Sequence, residues 1–448
     1  MNRLATGLIL ALALAPGPPA ADPEALIVIA GDQHSAYERT AQVVAAVDRL
    51  KAQHPRVPMA ILLDGDTLEY GNVVARRSSG AVDYAMFAAL AKRAPTVVNL
   101  GNHETEFFDL AATVARIEAT GVRVVTNITD RTTGRLAAPA SARLTLGSRE
   151  AVVVGVATND LSTYRVAVRP SLELADPVAW SRTHFPALLT AAPLKIVLSH
   201  AGLKSDREML PLVPDGTLFA GAHDHLRFVQ PFGRSVYVHS GSWNAFLTLA
   251  WLRHDAVGAT QWDVEQVPIS SQSPGDSALA ALISETRARY LEPADLAVVA
   301  HSSASLAPPD AAGAVVAAFR RGSGVDAAFI GNTTFGGGLP AGEVTRSAFD
   351  SCVRFDGTVF VATVDGTRLR KLLAMANQSP ATPFEQRQGE FLFADGPAAI
   401  DDAKVYRIAT TDWCAKNSQR YFAEPAIEWR QQSGSTLKQI ALSALGRQ

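Results

Sequence analysis

The sequence predicts an α/β chain with a second, smaller domain, and three observations carry that prediction. Short β-branched runs alternate with alanine-rich amphipathic stretches from Ala25 onward, and each run ends abruptly in a polar cluster. The segment PISSQSPGD, over residues 268–276, then interrupts the rhythm and reads as a linker. At 448 residues the chain is long enough for two or three domains of ordinary size.

Taken in order, Met1-Asn2-Arg3, the apolar run Leu4 to Ala15 and the prolines before Ala20-Ala21 read as a secretory signal over residues 1–21. Twelve helical residues reach only about 18 Å, too short for a bilayer core of ~30 Å, so no membrane anchor is expected. The first domain then covers residues 22–267. Six strands are legible in it: ALIVIA before Gly31, MAILL before Asp64, TVVNL before Gly101, KIVLS before His200, TLFA before Gly221 and SVYVHS before Gly241. After the linker, residues 277–448 form the second domain. It opens with a helix from Ala278 to Tyr290 and continues with strands such as DLAVVA and AAFIG. The run Gly336-Gly337-Gly338 lies outside phosphate-loop spacing and reads as a flexible turn.

Composition narrows the function classes. Hydrophobic residues make up 48% and charged residues 19%, which is globular rather than disordered. Lys plus Arg number 41 against 43 Asp plus Glu, a net charge of −2, so no positive field exists to draw in duplex nucleic acid or an anionic membrane. Cys352 and Cys414 are the only cysteines and neither has a zinc-thiolate spacing. Two readings of them stay open, a disulfide or a pair of buried thiols.

Chemistry concentrates where the strands end. Asp32-Gln33-His34, Gly65-Asp66, Gly101-Asn102-His103-Glu104, His200 and His223-Asp224-His225 each follow a predicted strand, and they hold five of the 10 histidines. In open α/β sheets ligands gather outside the carboxyl ends of strands, so clusters far apart in sequence can meet. Imidazole with carboxylate and no thiolate suits a borderline-to-hard divalent ion. His-x-His on an extended segment would aim both rings the same way. Two close ions need a shared anionic ligand, and Asp66, beside Gly65, suits that bridge. Asp64, Asp224 and His239 sit beside these positions and are expected to hydrogen-bond or face solvent rather than bind metal.

In this order, DxH, GD, GNHE, a lone histidine and GxHxH resemble the calcineurin-like metallophosphoesterase superfamily, and the secreted 5'-nucleotidase branch within it. The resemblance implies a two-sheet αββα sandwich followed by a smaller α+β domain that grips a nucleoside. It implies two divalent ions, one held by Asp32, His34, Asp66 and His225, the other by Asp66, Asn102, His200 and His223. Zn, Mn, Fe and Co are not distinguished by such ligands. It further implies attack on phosphorus by a hydroxide bridging the ions, with His103 as general acid. Glu106, where the family usually has Asp, would orient that imidazole; Glu104 and Asp109 are alternatives.

The implied activity is phosphomonoester hydrolysis of the 5'-nucleotidase type on a small phosphoester, with a nucleotide first in line, in a periplasmic or secreted protein. Thiosulfohydrolase-like or cyclic-phosphodiesterase activity on the same centre and an inactive binding protein are the alternatives. The second domain departs from the family. The stretch from Asn332 lacks the family's phosphate-holding arginine, and Arg354 or Arg346 would have to replace it. Trp413 stands near one base-stacking position; the other is Val359, with Phe335, Phe355 or Phe360 as substitutes.

Overall fold

The computed structural model describes residues 23–254, 258–423 and 426–445, the side chain of Ser433 excepted. The signal expected over residues 1–21 lies outside them. Among the described residues no helix is long and apolar enough to cross a membrane.

The strand Ala25–Gly31 is buried throughout because both of its faces are covered. Leu26, Val28 and Ala30 point toward helices, while Ala25, Ile27 and Ile29 point toward a second sheet. The strand Met59–Asp64 divides in the same way, with Ile61 and Leu63 on the helical side and Ala60 and Leu62 inside. The inward set meets Leu144, Val153, Ile196, Leu198 and Ala220 of the facing sheet. Each buried Leu or Ile contributes about 1.5–3 kcal/mol, so this seam is a main source of stability. Helices Tyr37–Gln53 and Ala81–Ala91 cover one outer face, and Pro177–Leu189 and Leu203–Met209 the other. The result is the αββα sandwich that the sequence implied.

The first sheet runs Thr260–Pro268, Phe246–His254, Ala25–Gly31, Met59–Asp64, Thr96–Asn99, Arg123–Val125. The second runs Arg227–Phe232, Ser235–Ser240, Leu218–Gly221, Leu194–His200, Arg149–Ala157, Ser141–Leu146. All six expected strands are present. The strands that precede the polar clusters are parallel to their central neighbours, so within each sheet their carboxyl ends share one edge.

The helix Ser277–Tyr290, expected to open the second domain, packs on the first. Leu279, Leu282, Ile283 and Tyr290 form an apolar stripe that joins the outer cluster beside the helix Ala81–Ala91. The change of core therefore falls after this helix. Of DLAVVA only Val298, Val299 and Ala300 are strand, at the start of Val298–Ser302; Pro293–Leu296 makes one helical turn, with proline at the position that needs no N–H. Beyond it lies a five-stranded sheet in the order Leu392–Asp395, Ala327–Gly331, Val405–Thr411, Thr358–Asp365, Arg430–Thr436. Helices Pro308–Ser323 and Leu437–Leu445 pack in one of its apolar clusters and Gly366–Met375 in the other. Cys352 belongs to the first cluster and Cys414 to the second, and both are free buried thiols, which decides between the two readings.

The glycine run is not a loose turn. A Cβ at Gly338 would stand 2.1 Å from the Leu306 carbonyl oxygen, and one at Gly336 would stand 2.7 Å from that of Ser351. The missing side chains allow backbone to pass against backbone.

Candidate metal centre

Five of the expected ligands leave their strands through left-handed backbone: Asp32 at φ 49°, His34 at 47°, Asp66 at 52°, His223 at 79° and His225 at 59°. This region is costly for a non-glycine residue and persists only where the surroundings hold it. The expectation of an extended His223-x-His225 pair is corrected here. Both residues lie in the loop after Leu218–Gly221, and their turned backbone sends the two rings to different neighbours.

Three overlapping groups of potential ligands result: Asp32, His34 and His225 in the first, Asp66, His200 and His223 in the second, and His34, Asp66 and His103 in the third. In the first, the Nε2 atoms of His34 and His225 are 2.9 Å apart, a pairing that needs a shared proton or a cation. In the second, His200 Nε2 is 3.0 Å from Asp66 Oδ2. The same Oδ2 is 4.0 Å from His34 Nε2, so Asp66 stands between the groups. Backbone fixes the carboxylates: Asp66 Oδ1 accepts the His103 N–H at 2.8 Å, and Asp32 accepts the His223 N–H at 2.9 Å. His200 Nδ1 lies 2.7 Å from the Asp64 carbonyl oxygen, which leaves Nε2 for the site.

Asn102, the remaining expected ligand, is buried. Its Nδ2 donates to the Thr163 carbonyl at 3.4 Å, while its Oδ1 is buried with no partner, as is His223 Nε2. Buried polar atoms are normally satisfied, so unpartnered atoms beside paired imidazoles and carboxylates fit divalent ions. Burial holds His34 and His225 below the usual imidazole range and His223 down at about 3, the neutral forms that ligands require. Burial pushes Asp32 well up. At Asp66 burial acts the same way, but His200 and His103 outweigh it and hold that carboxyl well down.

His103 lies within ligand distance of His34 and Asp66 and also has an acid of its own. Its Nδ1 is 2.7 Å from Glu106 Oε1, so the acid expected to orient it is within reach. Burial disfavours its charged form, yet Asp66, Glu69 and Glu106 together raise its pKa well above the ordinary value. Both alternatives to Glu106 are occupied elsewhere. Glu104 accepts the N–H groups of Asp66, Thr67 and Gly101, and Asp109 caps the helix Leu110–Glu118. Asp64, Asp224 and His239 also have other partners: Asn99 donates to Asp64, Leu203 N–H to Asp224, and His239 Nε2 lies 2.7 Å from the Tyr237 hydroxyl.

The calcineurin-like phosphoesterase family matches residues 25–227, the stretch that builds this cluster up to His225, and the 5'-nucleotidase C-terminal domain family matches residues 263–393. The chain joins a calcineurin-like phosphoesterase domain to a 5'-nucleotidase C-terminal domain. It is accordingly a hydrolase of the phosphoesterase class. Solved structures agree on the fold. The 5'-nucleotidase precursor of Thermus thermophilus superposes with TM-score 0.62 at 17% identity, over 94% of this chain and 96% of that one. The sulfate thiohydrolase SoxB of Thermus thermophilus gives 0.65 at 14%, over 96% and 95%. The 5'-nucleotidase of Candida albicans gives 0.62 at 12%, over 95% and 98%. No curated protein matches in sequence.

Between the phosphoesterase domain and the 5'-nucleotidase C-terminal domain lies a cavity of about 360 Å³. His34, Asp66, Asn102, His103, His223 and His225 line it from one side, Phe355 and Trp413 from the other. Two residues predicted to touch substrate do not line it. Asn332 instead ties the domains, donating to the Asp224 carbonyl at 3.0 Å and accepting the Phe391 N–H at 3.1 Å. Arg354 is buried, with its guanidinium 4.4 Å over the Trp243 ring, and lines a neighbouring chamber. Val359 and Phe335 are core.

Sequence reasoning missed Glu69, whose Oε2 faces His34 Nδ1, and Trp243, which stacks on the His34 ring at 4.5 Å. It also missed Asp356, Glu390 and Asp412 around the cavity. Glu69 lies three residues after Asp66, and that spacing was the one available signal.

Proposed function

We propose that this protein hydrolyses phosphomonoesters, with nucleoside monophosphates the first candidates, at a centre of two divalent ions. Asp32, His34 and His225 would hold one ion, Asn102, His200 and His223 the other, and Asp66 would stand between them. Such a pair, when bound, offers Lewis acidity toward phosphoryl oxygens and a water of lowered pKa. The protein's own contribution is positional. Gly65 and Gly101 leave the room in which Asp66 and His200 approach, and the left-handed loops fix the ligands before substrate arrives. With Glu106 at His103 Nδ1, the ring's Nε2 is the atom that carries a proton to the departing oxygen. Asn102 and His103, adjacent in sequence, would thus act on the ions and on the leaving group.

The observation that carries this reading is that His34 and His225 of one ligand group and Asp66 and His223 of another line one cavity together with His103. The test is phosphate release by protein stripped with chelator and then given Mn²⁺ or Zn²⁺, against nucleoside monophosphates and an aryl phosphate. Inactivity on every phosphoester would refute it. Sulfate release from a thiosulfonate-type substrate would instead select the thiosulfohydrolase-like alternative.

A further inference from the structure

Two aromatic–acid pairs, Phe355-Asp356 and Asp412-Trp413, line the catalytic cavity from the second domain. They are neighbours in space, since a Cβ at the intervening Gly357 would stand 2.7 Å from Asp412 Oδ1. A third lining carboxylate, Glu390, is neutralised by the guanidinium of Arg420, which also pairs with Asp160 at 3.1 Å. The other two are less compensated. Asp356 Oδ1 accepts the N–H groups of Gly357 and Lys438, and Asp412 Oδ2 meets the ammonium of Lys416, a largely exposed side chain, at 3.0 Å. Among the described residues lining the cavity there is no lysine or arginine. The same cavity is lined by Asn102 and His223, whose Oδ1 and Nε2 atoms are buried and unpartnered, so the carboxylates open onto a site that has an independent claim to a ligand.

We propose that the leaving-group end of this cavity takes an alcohol that is neutral or cationic and rich in N–H or O–H donors, and turns away one that carries an anionic group of its own. This deepens the phosphomonoesterase reading and rests on it. Carboxylate oxygens accept donors strongly, and aromatic faces beside them attract cations. A second anion placed there would meet like charge in a partly desolvated space whose lining residues include no guanidinium. Nucleoside monophosphates and phosphorylated amino alcohols or polyols satisfy the rule; esters whose alcohol bears a carboxylate or further phosphate do not.

The experiment compares kcat/KM of the full-length, Mn²⁺-loaded protein on three two-carbon phosphomonoesters: 2-aminoethyl phosphate, 2-hydroxyethyl phosphate and 2-phosphoglycolate. The ammonium and hydroxyl esters should exceed the carboxylate ester by roughly tenfold or more. In the double variant Asp356→Asn with Asp412→Asn, the spread should shrink to about threefold or less, since intrinsic reactivity cancels in the ratio. A carboxylate ester turned over as well as the others, or a spread unmoved by the double variant, overturns the proposal while leaving phosphomonoester hydrolysis standing. No turnover of any of the three or of a neutral aryl phosphate would overturn the underlying function as well.

Discussion

Glu69 Oε2 lies 3.2 Å from His34 Nδ1, with both side chains shut off from solvent. A carboxylate there favours the N–H on Nδ1 and leaves the Nε2 lone pair toward His225 and Asp32. Its other oxygen accepts the Gly71 N–H at 2.6 Å, so Glu69 also fixes the loop after Asp66. Glu69→Ala should therefore weaken Mn²⁺ binding at the His34 group by roughly 10- to 100-fold. Glu69→Gln, whose amide oxygen still accepts a proton, should recover most of that. Calorimetric titration of stripped protein reads both, and equal affinities across the three proteins would remove Glu69 from this role.

The pairing of His103 with Glu106 makes a different prediction, about rate rather than loading. His103→Ala should keep both ions and lower kcat by about 10²- to 10⁴-fold on an alkyl phosphate, whose alkoxide leaves poorly without a proton. On an aryl phosphate with an acidic phenol the loss should be much smaller. Glu106→Gln should show the same pattern more weakly. A loss of equal size on both esters would mean that the imidazole does something other than protonate the leaving group.

The strand-end clusters were legible because strand and ligand are coded side by side: a β-branched run, then the polar residue that its carboxyl end presents. That is why Asp32, His34, Asp66, Asn102, His200, His223 and His225 stand out in the sequence. Backbone sign was not legible, since positive φ at His223 and His225 is imposed by the packed loops and not by their own chemistry. Neither were groups brought in by domain packing. Asp356 and Asp412 carry no motif in the sequence, and only the second domain's packing sets them over the cavity. The placement of Arg354 was hidden for the same reason, because tertiary packing sets it over Trp243 and outside that cavity. The helix Ser277–Tyr290 was legible as a helix, but a linker signal says nothing about which core receives its apolar stripe.

Gly101 sits where Asp66 and His200 meet. A Cβ there would stand 2.3 Å from Asp66 Oδ1, 2.7 Å from the Asp66 nitrogen and 2.9 Å from His200 Nε2. One of these contacts is backbone, so a side-chain shift alone cannot make room. Gly101→Ala should cost on the order of 1–3 kcal/mol of stability and reduce bound metal below two ions per chain. Elemental analysis with a thermal melt checks both, and a fully loaded variant of unchanged melting temperature would show that the loop yields to an added methyl group.

A pH prediction comes from Asp83, away from the ligands. Its carboxylate is fully buried in the helix Ala81–Ala91 and accepts the Tyr37 hydroxyl proton at 2.6 Å. Burial raises its pKa from 3.8 to about 7, against the lowering effect of that hydrogen bond. The folded protein thus binds the proton more tightly than the unfolded chain. As pH rises from near 4 to near 7, the unfolded chain releases the proton first and the native state loses stability; above about 7 the loss is complete. Asp83→Asn keeps an oxygen for Tyr37 and removes the titration. The variant should match or trail the wild type near pH 4 and gain on it up to pH 7, by ~4 kcal/mol at most, a ceiling set by a shift of about three units. Urea midpoints across that range give the difference directly. A gap that stays flat with pH would mean that Asp83 is ionised in the native state, with a counter-charge or water reaching it beneath the helix.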